Sequence, residues 1–286
     1  MLHVNNIGGQ DKFLGLSAII FHSKAQSFEA IKSKILSKVE GWKEHLLSQG
    51  GKEVLIKSIP AAISIFAMSY FRLLSSLCKS LNSILANFWW GQKDQERKNH
   101  WISWKNIFHS KAVGGPGFRD FELFNMALLA KQGWRIISKL TSLVARVLKG
   151  RYFPFTSFLT AKQGARPSWA WQSILWGREL LEKGLRWNFQ DGKLILCKQD
   201  KWIPKSFPHY PQVKESSNPS ILWVAQLVNW NTSTWNLDNL KANFEEEEIS
   251  NIRSIPISLF SREDSLIWYF PNSGSYTVKS GYKVAC

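Results

Sequence analysis

Residues 27–48 read SFEAIKSKILSKVEGWKEHLLS, and their spacing decides the fold class. Phe28, Ile31, Ile35, Val39, Trp42 and Leu46 recur at steps of three or four, the period of one helix face. Lys32, Lys34, Lys38 and Lys43 fall toward the shoulders of that stripe, and Glu29, Glu40 and Glu44 on the far face. Shoulder lysines can lay their stems along apolar surface and hold ammonium groups out to a partner. The same pattern also serves as ordinary solubilising charge.

Working outward, Gly50-Gly51 is expected to stop this helix, since glycine accepts the left-handed conformation at a helix end. A second helical pattern begins at Lys52, with Leu55, Ile59, Ala62, Ile63, Phe66 and Tyr70 on one face and a break at Pro60. Further helices are predicted over Ser75–Trp89, Leu123–Ser138, Leu143–Lys149 and Trp169–Lys183. Strand character comes late. Leu185–Phe189 and Leu194–Cys197 flank Asp191-Gly192, which fits a tight hairpin turn. Leu266–Phe270 and Ser275–Val278 suggest a second hairpin around Asn272-Ser273-Gly274. The fold class is therefore mainly α, with small antiparallel β-hairpins and an α+β C-terminal end.

The 286 residues carry 37 Lys+Arg against 21 Asp+Glu, a net +16, with 44% hydrophobic residues. That composition excludes wholesale disorder. The charge is uneven: residues 1–201 hold 30 basic and 13 acidic residues, a net +17, and residues 202–286 hold 7 and 8. A basic body favours a polyanionic partner, nucleic acid or an anionic membrane surface. The charge break, followed by Pro204, Pro208, Pro211 and Pro219, marks an expected linker. The acidic run Glu245–Glu248 reads as a solvated helix start.

Catalytic signatures do not emerge. Cys78, Cys197 and Cys286 are too far apart for a Cys-x-x-Cys pair, and the histidines have no zinc-site spacing. Asp120, Asp191 and Asp200 are isolated, and Asp191 is explained as a turn residue. Glu263-Asp264 has no partner carboxylate with the frame that two-metal chemistry needs. Gly114-Gly115-Pro116-Gly117 lacks the Lys-Ser/Thr of a phosphate loop. The expectation is no catalytic residue, no metal and no cofactor on this chain. Residues 1–11 lack a signal-peptide pattern, and Ile59–Phe71 is too short for a membrane span. An intracellular protein is expected, in nucleus or cytoplasm first and mitochondrion second.

An ordered series of motifs adds more. It runs Phe13-Leu14-Gly15-Leu16, Trp42, Gly51-Lys52, Leu55-Ile56-Lys57-Ser58, Met68-Ser69, Phe88-Trp89-Trp90-Gly91 and His100-Trp101-Ile102-Ser103-Trp104. It continues with Gly117-Phe118-Arg119-Asp120, Asn125–Lys131, Arg151-Tyr152-Phe153-Pro154, Trp171–Ile174, Gly177–Leu181, Asp200-Lys201-Trp202 and Gly274–Tyr282. This series resembles plant LINE-type (non-LTR) retrotransposon polyproteins, in the region between the reverse transcriptase palm and the ribonuclease H domain. It is similar also to plant mitochondrial reading frames derived from such elements. The family's polymerase aspartates would lie before Met1 and its ribonuclease H carboxylates after Cys286, so neither set carries over. Lys52 stands where the family more often has Arg, which keeps the charge but loses a bidentate phosphate grip.

The resemblance implies an order of regions. Residues 1–24 end a palm-like segment, 25–92 form a helical thumb, 93–203 a helical connection ending in a β-hairpin, 204–262 a linker with short helices, and 263–286 the truncated start of a zinc-binding-type domain. A thumb grips the template–primer backbone without reading its sequence. Lys43, Lys52, Lys57 and Arg72 are the expected main contacts, Lys32, Lys34 and Lys38 secondary ones, and Lys105, Arg119, Lys131 and Arg135 an extension of the basic track. The expected partners are RNA or DNA template–primer and the rest of the polyprotein, without a membrane role. The alternatives are a non-functional retroelement remnant or a domesticated nucleic-acid-binding module. Trp89, Trp90, Trp101 and Trp104 are candidate stacking platforms, while Trp42 and Trp134 fall at core spacing.

Overall fold

A computed structural model describes residues 12–13, 16–17, 24–43, 47–62, 65–91, 117–258 and 262–286. Among them, helices dominate and the β-structure consists of small two-stranded antiparallel sheets, as the hydrophobic periods predict. The first sheet pairs β1 (Lys12–Phe13) with β2 (Leu16–Ser17). The chain divides into two units. The first takes residues 1–132, 163–177 and 285–286, and the second takes 133–162 and 178–284.

In the first unit, α1 (Lys24–Lys43) packs on α4 (Ser75–Trp90), and α2 (Gln49–Ala62) packs on α4 as well. The stripe read from residues 27–48 is the buried one: Phe28, Ile35 and Val39 are fully buried, and the Trp42 ring meets Phe88 at 5.7 Å. Each such buried side chain contributes about 1.5–3 kcal/mol of apolar transfer. Gly91, with φ +67°, closes α4, its N–H donating to the Asn87 and Phe88 carbonyls.

The expected stop at Gly50-Gly51 is corrected, since both glycines lie inside the first turn of α2. The first N–H groups of a helix have no intrahelical partner, so a turn of glycines there loses no helical bond, and the Ser48 hydroxyl accepts from Gly51 N–H at 3.2 Å. Helix α2 continues past Pro60, and α3 (Ile65–Tyr70) is a separate start. Helix α5 (Phe121–Ser138) begins on Asp120, whose Oδ1 accepts from the Glu122 and Leu123 N–H groups at 2.8 and 3.0 Å. Gly177, in α7 (Trp169–Gly184), lies so close to α5 that an added Cβ would sit 2.5 Å from Ala130 N.

The second unit holds α6 (Leu143–Tyr152), with Ser142 as its side-chain cap, and the strands whose pairing departs from expectation. Strand β3 (Leu185–Asn188) does not form a hairpin with 194–197. It pairs antiparallel with β6 (Ser265–Trp268), in register Leu185↔Trp268 through Asn188↔Ser265. The reason is Asp264, whose carboxylate accepts from the backbone N–H groups of Gln190, Gly192 and Leu194 at 2.7, 3.0 and 3.0 Å. Those donors wrap a side chain instead of forming a hairpin ladder. The second expected hairpin is corrected too: only Trp268 N–H to Gly274 O closes it, and Val278 opens helix α10 (Val278–Ala285).

Residues 204–258 are packed, not an open linker. Strand β4 (Val228–Asn229) pairs with β5 (Thr234–Trp235), and helices α8 (Leu237–Asn243) and α9 (Glu246–Arg253) follow. Their Val224, Leu227, Leu240, Phe244 and Ile252 share one buried cluster with Ile195, Cys197, Trp202 and Ile203. Pro208 and Pro211 are themselves buried, so these prolines fix the chain's path over a core. Three glutamates of the acidic run are exposed at the start of α9, but Glu248 is fully buried and meets His209 Nε2 at 2.9 Å.

Candidate nucleic-acid interface

Lys57 and Arg119 come together. They line one pocket of about 210 Å³ with Ile56, Leu85, Phe118 and Phe121, so two cations stand on an apolar floor. Lys57 is held there by α2, and its Nζ pairs with Glu53 one turn earlier. Arg119 immediately precedes the Asp120 cap of α5, which fixes its backbone, and its guanidinium lies 4.8 Å from the Phe124 ring centroid. An arginine held on an aromatic face keeps its outward N–H groups for two oxygens of an anion such as phosphate.

Arg72 is placed by a different support. Asn125, fully buried, donates to the Met68 and Phe71 carbonyls at 2.6 and 3.0 Å and accepts from Leu73 N–H at 2.8 Å. The Ser173 hydroxyl accepts from Arg72 N–H at 2.8 Å, and the guanidinium lies 4.2 Å from the Trp176 ring centroid. The 68–73 turn is thus fixed from two helices, and the exposed arginine on it is preorganised. Lys52 is half-buried with Nζ 5.9 Å from the Phe88 centroid. Lys32 pairs with Glu29 at 3.6 Å, while Lys34 and Lys38 are exposed on α1. Lys131 is half-buried and Arg135 exposed along α5. The Lys43 side chain, Lys105, Trp101 and Trp104 lie outside the described residues.

The aromatic candidates divide in favour of packing. Trp89 is half-buried edge-on to Phe118 at 5.0 Å, and Trp134 is buried. The sequence does not single out Asn125, Ser173 and Trp176 as supports of Arg72 and its turn. Asn125 and Ser173 belong to the motifs at 125–131 and 171–174, whereas Trp176 falls between motifs and carries no local signal. The aspartates are likewise structural. Asp191 accepts from Lys193 N–H at 3.2 Å, and Asp200 accepts from Leu196 N–H at 2.7 Å while burial pushes its carboxyl above the usual range. No group of three or more His, Cys, Asp or Glu residues suited to a metal ion occurs among the described residues, and none of their helices is long and apolar enough to cross a membrane.

No family model matches the chain. An uncharacterized mitochondrial protein of Arabidopsis thaliana is 45% identical over 151 residues, which make up 52% of this chain and 98% of that protein. The chain belongs to the family of this mitochondrial protein. A second relative of this chain, the A. thaliana "Putative ribonuclease H protein", is 25% identical over 270 residues, or 90% of this chain. The chain spans 42% of that relative's length.

Proposed function

We propose that this chain is a non-catalytic stretch of a LINE-type reverse transcriptase polyprotein that grips the template–primer backbone through its first unit. The observation that carries the reading is the convergence of Lys57 and Arg119, from separate elements, on one pocket in the more basic half of the chain. Arg72, braced on Trp176, adds a third fixed cation. Lysines and arginines so placed neutralise phosphates and release counterions, and they need no metal or cofactor to do so. Colinear motifs of the family and the long match to a ribonuclease H-named relative support the polyprotein context.

A stand-alone binding module is the second reading. It is favoured by the mitochondrial relative, because 98% of that protein falls within the match. Its location makes the mitochondrion the compartment to examine first.

Fluorescence anisotropy of a labelled RNA–DNA duplex across a salt series tests the contact. Binding should weaken linearly on a log–log salt plot. The double variant Lys57→Glu, Arg119→Glu should flatten the slope by about 1.8, two phosphate contacts at about 0.9 each. An unchanged slope and affinity would remove the interface from this pocket.

A further inference from the structure

We infer that the second unit carries a separate nucleotide-binding pocket, in which Lys183, Lys279 and Lys283 take the phosphate and Phe207 and Phe270 take the base. The pocket has a volume of about 590 Å³ and is lined by all five residues. Lys279 and Lys283 are one turn apart on α10 and so share a face, and Lys183 comes from the last turn of α7. All three are exposed, and none has a carboxylate partner among the described residues. That sets them apart from Lys57, Lys193 and Lys205, each paired with an acid. No acidic residue lines the pocket.

Bulk charge does not account for Lys279 and Lys283, because residues 202–286, which hold both, are slightly acidic overall. Three like charges on one concavity repel one another, and an anion relieves that repulsion. The opposite wall is aromatic. Phe207 is about half exposed and stands edge-on to Phe270 at 5.5 Å, which leaves a ring for a planar ligand. Thr277 and Ser280 close the floor but are engaged with each other: Ser280 N–H donates to Thr277 Oγ1 at 3.1 Å, and Thr277 N–H to Ser280 Oγ at 3.3 Å. Ligand choice therefore falls to ammonium groups and an aromatic face. An inorganic anion would use only the first and a nucleoside only the second. A nucleoside phosphate uses both.

The inference goes beyond the backbone contact proposed for the first unit, because it involves a base and a different set of residues. The test uses the full chain with four probes: AMP, adenosine, inorganic phosphate and a 5′-phosphorylated oligo(dT) of ten nucleotides, each followed by calorimetric titration. AMP should bind more tightly than adenosine or phosphate. Lys279→Glu with Lys283→Glu should weaken it about tenfold or more. Phe207→Ala should weaken AMP by about tenfold while leaving phosphate unchanged. Lys279→Arg with Lys283→Arg should retain binding, and the urea midpoint of every variant should match the parent. Oligonucleotide binding that shares these losses identifies a strand as the source, whereas AMP binding alone identifies a free nucleotide. Lys57→Glu with Arg119→Glu should leave AMP binding intact, which separates this site from the duplex interface. Absence of binding to both AMP and the oligonucleotide, or binding that ignores Lys279, Lys283 and Phe207, overturns the inference.

Discussion

Removing the Asp264 carboxylate should unfold the second unit more readily than any surface change in this chain. The side chain is only 6% exposed and accepts three backbone N–H groups, from Gln190, Gly192 and Leu194. Hydrogen bonds to a charged acceptor contribute about 1.5–3 kcal/mol each, and a buried donor left unpaired costs about 1–3 kcal/mol. The three bonds share one acceptor and are not additive, so Asp264→Ala should cost about 3–5 kcal/mol. Asp264→Asn separates charge from shape. Its carbonyl oxygen can keep the Gln190 and Gly192 donors now on Oδ1, but its amide would point a donor at Leu194 N–H. A loss of about 2 kcal/mol is expected there. Urea unfolding followed by tryptophan fluorescence reads both, because Trp187, Trp202, Trp235 and Trp268 all belong to this unit. With slopes of about 2 kcal/mol per molar, the alanine midpoint should fall by roughly 1.5–2.5 M. A shift under about 0.3 M, or an alanine variant no worse than asparagine, would show that the 189–194 loop holds without the carboxylate.

Three further outcomes follow from named groups. Burial holds the Cys78 thiol up to about 12, with Glu122 and Asp120 adding to it, and burial holds Cys197 up to about 11, while Cys286 is exposed. Thiol labelling at pH 8 should count one fast site per native chain and three after denaturation. Unfolded thiols ionise near 9.0, so the folded state binds more protons above that pH. Stability present below pH 9 should then decline as pH climbs toward 11, and urea midpoints at pH 8 and 10 check the sign. Glu53 holds Lys57 in an ion pair, so Glu53→Gln should release the ammonium and tighten duplex binding by about two- to fivefold at low salt, an effect that fades above about 0.3 M. No change at low salt would mean that Lys57 is not a phosphate contact.

Local periodicity made the helices legible. The stripe at 28, 35 and 39 is buried in α1, with Trp42 packed on Phe88, because a helix face depends only on spacing within its own segment. Strand partners depend on residues far away. Leu185–Asn188 looked like half of a hairpin because Asp191-Gly192 has hairpin turn chemistry, yet its partner is Ser265–Trp268. Gly192 does take φ +68°, so the turn chemistry holds while the ladder forms elsewhere. Asp264 decides between the two outcomes, and the acidic pair Glu263-Asp264 carries no pattern that announces three backbone bonds. Likewise the prolines of 204–219 signal a stiff backbone, which suits a packed loop as well as a linker. Only the buried Trp202, Val224 and Phe244 around them distinguish the two.

The motifs that support the family resemblance turn out to be mostly architectural, and that bears on how the interface should be sought. Asn125 and Ser173 tie down the 68–73 turn, Asp200 and Trp202 brace the backbone at 196–197, and Gly177 admits a neighbouring helix. A motif kept for such contacts locates the fold without locating the partner. Charge is no safer a guide when summed. The part of the chain with a net +17 pairs Lys57 with an acid, and the part with a net −1 supplies two of the three unpaired lysines on one pocket, Lys279 and Lys283, with Lys183 as the third. An anion responds to the field at its own site, over about a Debye length of 8–10 Å, and not to a total taken over a hundred residues. The informative quantity is therefore the local one: how many cations converge, whether a carboxylate already neutralises them, and what surface lies beside them. By that measure the pocket of Lys183, Lys279 and Lys283 carries a stronger unneutralised field than the pocket of Lys57 and Arg119, although most of its lining comes from the less basic part of the chain.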